Sequence, residues 1–161
     1  MSAQTEMYTG DAYLKLITYS IYHLGDKDGI SRQAIKKYVA SKLVNSNEEF
    51  INECIIMGVD NGILKQPKGP SGPIMLTKMF ELGDDKSYTE EEGMYIQMIT
   101  NIIHELNGKN GSTKKAINKK IFERIKYTDE THEMITRCII KGLQNKILIQ
   151  KGPYGNIMLN R

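Results

Sequence analysis

The sequence is short of the residues that would make it a disulfide scaffold, a metalloprotein or a membrane span. Its 161 residues include two cysteines, Cys54 and Cys138, far apart and without the paired spacing of a zinc site. Neither a metal nor a disulfide framework is indicated, and no cofactor is expected. No apolar run approaches the ~20 residues that cross a bilayer, so no membrane role is expected. The first ten residues, MSAQTEMYTG, lack the basic start and apolar core of a secretory signal, which points to an intracellular protein. The three histidines, His23, His104 and His132, do not recur at equivalent positions and have no evident nucleophile or ligand partner. GPSGP and NGKNGST are glycine-bearing stretches without the spacing of a phosphate-binding P-loop, and turn chemistry explains both. No catalytic residue is proposed, and an enzyme is not expected. Charge of one sign is also scarce: a net +3 permits contact with an anion but is far below that of a protein binding by charge alone.

What the sequence does contain is one unit written twice. YLKLITYSIYHLGDKDGISRQAIKKYV from Tyr13 lies over YIQMITNIIHELNGKNGSTKKAINKKI from Tyr95 without a gap, 82 residues on. After a two-residue insertion, CIIMGVDNGILKQPKGPSGPIMLTK lies over CIIKGLQNKILIQKGPYGNIMLN. Two copies of about 67 residues are too few for a solenoid, so two similar domains in tandem are expected, 11–78 and 94–161, joined by an acidic linker, 79–93. Charge follows the same division: the first copy carries +2, the linker −5 and the second copy +7. YTEEE, at the end of the linker, could also cap and extend the next helix, because Thr89 can accept backbone hydrogen bonds and acids favour a helix N-terminus.

Within each copy the apolar spacing predicts three helices. Tyr13, Leu16, Ile17, Ile21 and Leu24 recur at three- and four-residue intervals, as do Tyr95, Met98, Ile99, Ile102, Ile103 and Leu106. A polar turn containing glycine follows each, GDKDG or NGKNG. Ser31 and Thr113 are N-caps for a second helix, whose inner side in the first copy is Ala34, Ile35, Tyr38 and Val39. A third helix is expected from caps near Asn47 and Asp129, ending at Gly62 in the first copy. ILKQ and ILIQ, a Gly/Pro loop, then IMLT and IMLN read as a β-hairpin. The expected fold is mainly α with small β-hairpins: two tandem winged-helix domains, each of three helices plus a β-wing. Cys54 and Cys138 fall at equivalent sites on the apolar side of the third helix, where each packs in its own core.

GISRQAIKKYV followed by GVDNGILKQPKGPSGPIMLTK resembles the globular domain of linker histones, with its Ser-Arg-Gln helix start, Lys-Tyr pair, Gly-x-Leu-Lys-Gln strand and Lys-Gly wing. The likeness covers the first copy; GSTKKAINKKI and KILIQKGPYGNIML in the second are similar but more diverged. The resemblance implies a clamp near the nucleosome dyad, touching DNA through separate basic surfaces. Carried over by position, the DNA contacts are Lys27, Arg32, Lys37 and Lys68, with Lys109, Lys114, Lys119 and Lys151 in the second copy. Lys36 and Lys115 extend these patches.

The sequence departs from the family where its third helix turns cations toward DNA. The first copy has Asn52, Ile56 and Met57 there, whereas the second has Lys141 at one matching position and Arg137 nearby. Met75 and Met158 replace a basic residue of the last strand, the wings are short, and the family's lysine-rich tail does not occur in this chain. Either the chain is a fragment of a longer protein or it obtains affinity by pairing its domains, since two weak binders joined by a linker can hold well, the first contact concentrating the second. The expectation is a non-enzymatic, largely sequence-independent architectural protein that compacts or organises chromatin-like DNA. Its partners would be double-stranded DNA and the nucleosome or histone octamer, with no membrane, and its domains could engage DNA together. It would work on chromatin in a nucleus, or, since Ile, Asn and Lys richness fits an AT-rich genome, in a virion or viral factory. The alternatives are a protein–protein assembly module presenting Ile56 and Met57, and a sequence-specific transcription regulator.

Overall fold

A computed structural model describes residues 10–78, 87–106 and 110–160. The chain divides into two compact units, residues 1–80 and 81–161. The first unit holds α1 (Gly10–Leu24), α2 (Arg32–Lys42), α3 (Glu48–Asp60), β1 (Leu64–Lys65) and β2 (Met75–Leu76). The second holds α4 (Glu90–Glu105), α5 (Lys114–Ile121), α6 (Asp129–Gln144), β3 (Leu148–Gln150) and β4 (Ile157–Leu159). In each, the first helix packs on the other two and on the returning strand, and the third helix packs on the outgoing strand. Both units are winged helices.

The stripes that predict the helices are the faces that bury. Tyr13, Ile17 and Ile21 of α1 meet Ile35 and Val39 of α2 and Ile51 and Ile55 of α3 in a closed core, as Ile99, Ile102, Ile103, Ile117, Ile121, Ile135 and Ile139 do in the second unit. Each such side chain removed from water contributes roughly 1.5–3 kcal/mol. Leu24 departs from the expected stripe: at the end of α1 it is exposed, while Tyr22 and His23 beside it are buried. His23 stacks on Tyr19 and leans on Tyr38, a packing role. Cys54 and Cys138 are buried, and burial pushes the Cys138 thiol up to about 12, so it stays protonated at neutral pH.

The helix starts follow local hydrogen bonding. Ser31 Oγ accepts from the Ala34 N–H and Thr113 Oγ1 from the Ala116 N–H, at 3.1 and 3.0 Å. Asn47 caps α3 through the Phe50 N–H, and its own N–H donates to the Tyr13 hydroxyl. In the second unit the cap is Thr128 rather than Asp129. Thr128 and Thr131 bond reciprocally in a capping box, which leaves Asp129 and Glu130 in the first turn, where acids oppose the helix dipole favourably. The end of the acidic stretch is likewise helical: Thr89 and Glu92 form a capping box, and α4 begins at Glu90.

The wings are two-stranded antiparallel ladders pairing Leu64 with Leu76 and Leu148 with Leu159. A third segment closes on each: Ile30 exchanges backbone bonds with Ile74 at 3.0 and 2.8 Å, and Ser112 with Ile157 at 3.0 and 2.7 Å. Gly29 and Gly111 precede these bridges at φ +81° and +79°, and a Cβ at either would sit 2.8 or 2.7 Å from the partner carbonyl oxygen. Gly58 and Gly142 provide the room in which Leu64 and Leu148 lie against the third helix, since an added Cβ would come within 2.8 Å of each leucine.

Three outcomes follow for chemical denaturation of the full chain. Gly111→Ala, which combines an unfavourable φ with a backbone clash, should destabilise the second unit by about 2 kcal/mol or more. The residue ending the third helix is Gly62 in the first unit, at φ +76°, but Lys146 in the second, at φ +61°. Lys146→Gly should therefore stabilise the second unit by about 0.5 kcal/mol or more, and Gly62→Lys should cost the first a similar amount; no change in either would show that neither residue carries the φ penalty.

Candidate nucleic-acid interface

Acids stand in the first turn of four helices: Asp11 in α1, Glu48 and Glu49 in α3, Glu90–Glu92 in α4, and Asp129 and Glu130 in α6. The second helix of each unit has none there. It begins instead with Arg32, or with Lys114 and Lys115. Cations at that end work against the helix dipole and cost stability, so they add to, rather than cancel, the positive field of the free N–H groups. Both second helices thus begin in a region that favours an anion.

In the first unit, Lys27 sits exposed in a turn fixed by Asp26, whose carboxylate accepts from the Asp28 N–H at 2.8 Å and whose carbonyl accepts from the Gly29 N–H. Arg32 is half-buried, its guanidinium donating to Asn52 Oδ1 at 3.1 Å. Lys37 is exposed on the outer side of α2. Lys36 is not: its ammonium pairs with Glu48 at 2.9 Å, and its side chain is 15% exposed. Lys68 is exposed in the wing loop, which Gln66 braces by donating from Nε2 to the Pro70 and Gly72 carbonyls. Lys65, passed over in the sequence-based set, adds a second exposed cation beside the wing.

In the second unit, Lys115 and Lys119 are exposed on α5 and Lys114 is half-buried at its start. Lys151 is exposed in a wing braced as in the first unit, with Gln150 Nε2 donating to the carbonyls of Pro153 and Gly155. Lys109 lies outside the described residues. Arg137 and Lys141 have another engagement. Lys141 Nζ lies 2.9 and 3.1 Å from the two Glu92 carboxylate oxygens and 2.9 Å from the Ser87 carbonyl, and Arg137 Nε is 3.2 Å from Glu92 Oε2. Burial alone would raise the Glu92 carboxyl, but the Thr89 N–H, Lys141 and Arg137 outweigh it and hold it below the usual carboxylate range.

The sequence-predicted cations thus separate into two groups. Lys27, Lys37, Lys68, Lys115, Lys119 and Lys151 are exposed and make no ion pair with other described residues; Arg32, bonded to Asn52, and Lys114, which has interactions of its own, stand half-buried at the helix starts. Lys36, Arg137 and Lys141 are each bound to an acid. The first-unit third helix shows solvent Ile56 and Met57, 54% and 57% exposed. Among the described residues no group of acids, histidines and cysteines could hold a metal ion.

The family model described as linker histone H1 and H5 matches residues 11–77 and again 93–160. Histone H1 of Ascobolus immersus is 39% identical over 69 residues, covering 42% of this chain and 32% of the relative. Histone H1 of Emericella nidulans is 41% identical over 76 residues, covering 44% of this chain and 38% of the relative. The match therefore spans about a third of the length of these relatives. No solved structure gives a significant match. With the family's domain pattern found in both copies, and each copy folded as three helices and a wing, the chain belongs to the linker histone H1 and H5 family.

Proposed function

We propose that the chain is a non-enzymatic architectural protein that binds double-stranded DNA and nucleosomes largely without regard to sequence. The observation that carries this reading is the pair of second helices whose first turns hold cations and no acids, each with an exposed wing lysine in the same unit. Phosphates are the anions such a surface fits, and phosphate contacts position a protein without reading bases. The third helix, the groove-reading element of helix-turn-helix proteins, has no free set of base-reading side chains here. In the first unit Asn52 is tied to Arg32 and its neighbours are Ile56 and Met57; in the second, Arg137 and Lys141 are held by Glu92. This argues against a sequence-specific regulator. The named relatives are histones, which favours chromatin in a nucleus; they lend no support to a viral setting.

We further propose that the two units engage DNA together, each supplying a weak contact that the other makes intramolecular. The six exposed lysines named above, with Arg32 beside them, then set the salt dependence. The logarithm of the association constant should fall against the logarithm of salt concentration with a slope between about −5 and −7, or about half that if one unit binds alone. Lys37→Gln and Lys119→Gln should each lower the slope by about 1 and weaken binding equally on unrelated sequences. Fluorescence anisotropy on random duplexes and reconstituted nucleosomes measures both, and absence of binding at low salt would sink the reading.

The exposure of Ile56 and Met57 favours one other reading, assembly with protein through α3. Replacing both with lysine should raise DNA affinity if α3 lies near phosphate, and should instead dissociate an oligomer, seen by sedimentation, if α3 is an assembly face.

A further inference from the structure

We propose that Glu92 holds the third helix of the second unit out of DNA binding, so that this unit takes DNA through α5 and its wing while the cations of α6 are neutralised within the chain. The inference rests on the DNA-binding reading above and concerns its regulation by an internal acid.

Its first support is geometric. Glu92 is 5% exposed and Lys141 12% exposed, with both carboxylate oxygens engaged by the ammonium. Arg137, one helical turn earlier on the same face of α6, takes Oε2 from the solvent side. The carboxylate is fixed before any partner arrives: Glu92 Oε1 accepts from the Thr89 N–H at 2.9 Å, and the Glu92 N–H donates to Thr89 Oγ1 at 3.1 Å. A phosphate reaching Lys141 would have to displace a preorganised, desolvated carboxylate and leave that buried charge with only Arg137 and the Thr89 N–H, a costly loss of its buried ion pair.

The second support comes from the repeat. In the 82- and 84-residue registers of the two copies, Glu92 corresponds to Gly10, Arg137 to Glu53 and Lys141 to Met57. The copy with cations on its third helix has the acid that neutralises them, and the copy without those cations has neither. A carboxylate needed only to start α4 would require no such pairing, because Thr89 supplies the cap.

The test uses the full chain and a short labelled DNA duplex of random sequence. Four proteins are compared by anisotropy across a salt series: wild type, Glu92→Gln, Arg137→Gln and the double variant. Glutamine keeps the capping-box geometry without the charge. Glu92→Gln should raise affinity about tenfold at moderate salt and steepen the salt slope by about 1 to 2, since two cations become available to phosphate. Arg137→Gln alone should leave affinity within about twofold of wild type, whereas in the Glu92→Gln background it should remove a large share of the gain. A several-fold loss from Arg137→Gln alone would overturn the proposal, and this arm keeps the Glu92–Lys141 pair that the fold uses. So would Glu92→Gln binding no better than wild type while far-ultraviolet circular dichroism shows it folded, the result expected of a purely structural tie. If the wild-type chain binds no DNA, the functional reading falls and this inference with it; if it binds and the cycle shows no coupling, the inference alone falls.

Discussion

Each unit depends on one close approach of backbone to backbone, where the turn after the first helix is hydrogen-bonded to the strand returning from the wing. Ile30 with Ile74 and Ser112 with Ile157 make that closure. It is possible only because Gly29 and Gly111 present no Cβ to the opposing carbonyl. A two-stranded ladder of this length is marginal in water by itself. Joined to the turn, it shares the core of the helices, with Leu64, Ile74 and Leu76 sealed on one side of the first unit and Leu148 and Ile157 in the second.

The same closure anchors the segments that carry the exposed cations. It joins the turn that carries Lys27 and the segment leading to the caps Ser31 and Thr113 to the strand that returns from the wing loop. The cations at those helix starts lower stability through the dipole, and the apolar core absorbs that cost. That both copies keep an arrangement which costs stability is what motivates the proposed anionic partner.

The two copies share this frame and differ in how their third helices meet solvent. In one, Ile56 and Met57 are exposed; in the other, Ile140 is buried and Lys141 is bound to Glu92. In the second unit the first turn of α4 takes part in this difference. Thr89 caps that turn and Glu92 lies against α6, so the end of the acidic stretch is part of a folded unit rather than a spacer.

The sequence by itself determined the repeat, the helix faces, the caps at Ser31, Thr113 and Asn47, and the paired apolar runs of the wings. Those signals are local: a stripe or a cap is settled within one or two turns of chain. The cap expected at Asp129 lies one residue earlier, because Thr128 bonds reciprocally with Thr131, and Leu24 fitted the stripe but fell past the end of the core. Only the tertiary structure decided which cations face solvent. Lys141 and Glu92 are 49 positions apart, and Lys36 and Glu48 are 12 apart. A lysine destined for phosphate and a lysine destined for a carboxylate of its own chain have the same chemistry, and packing alone separates them.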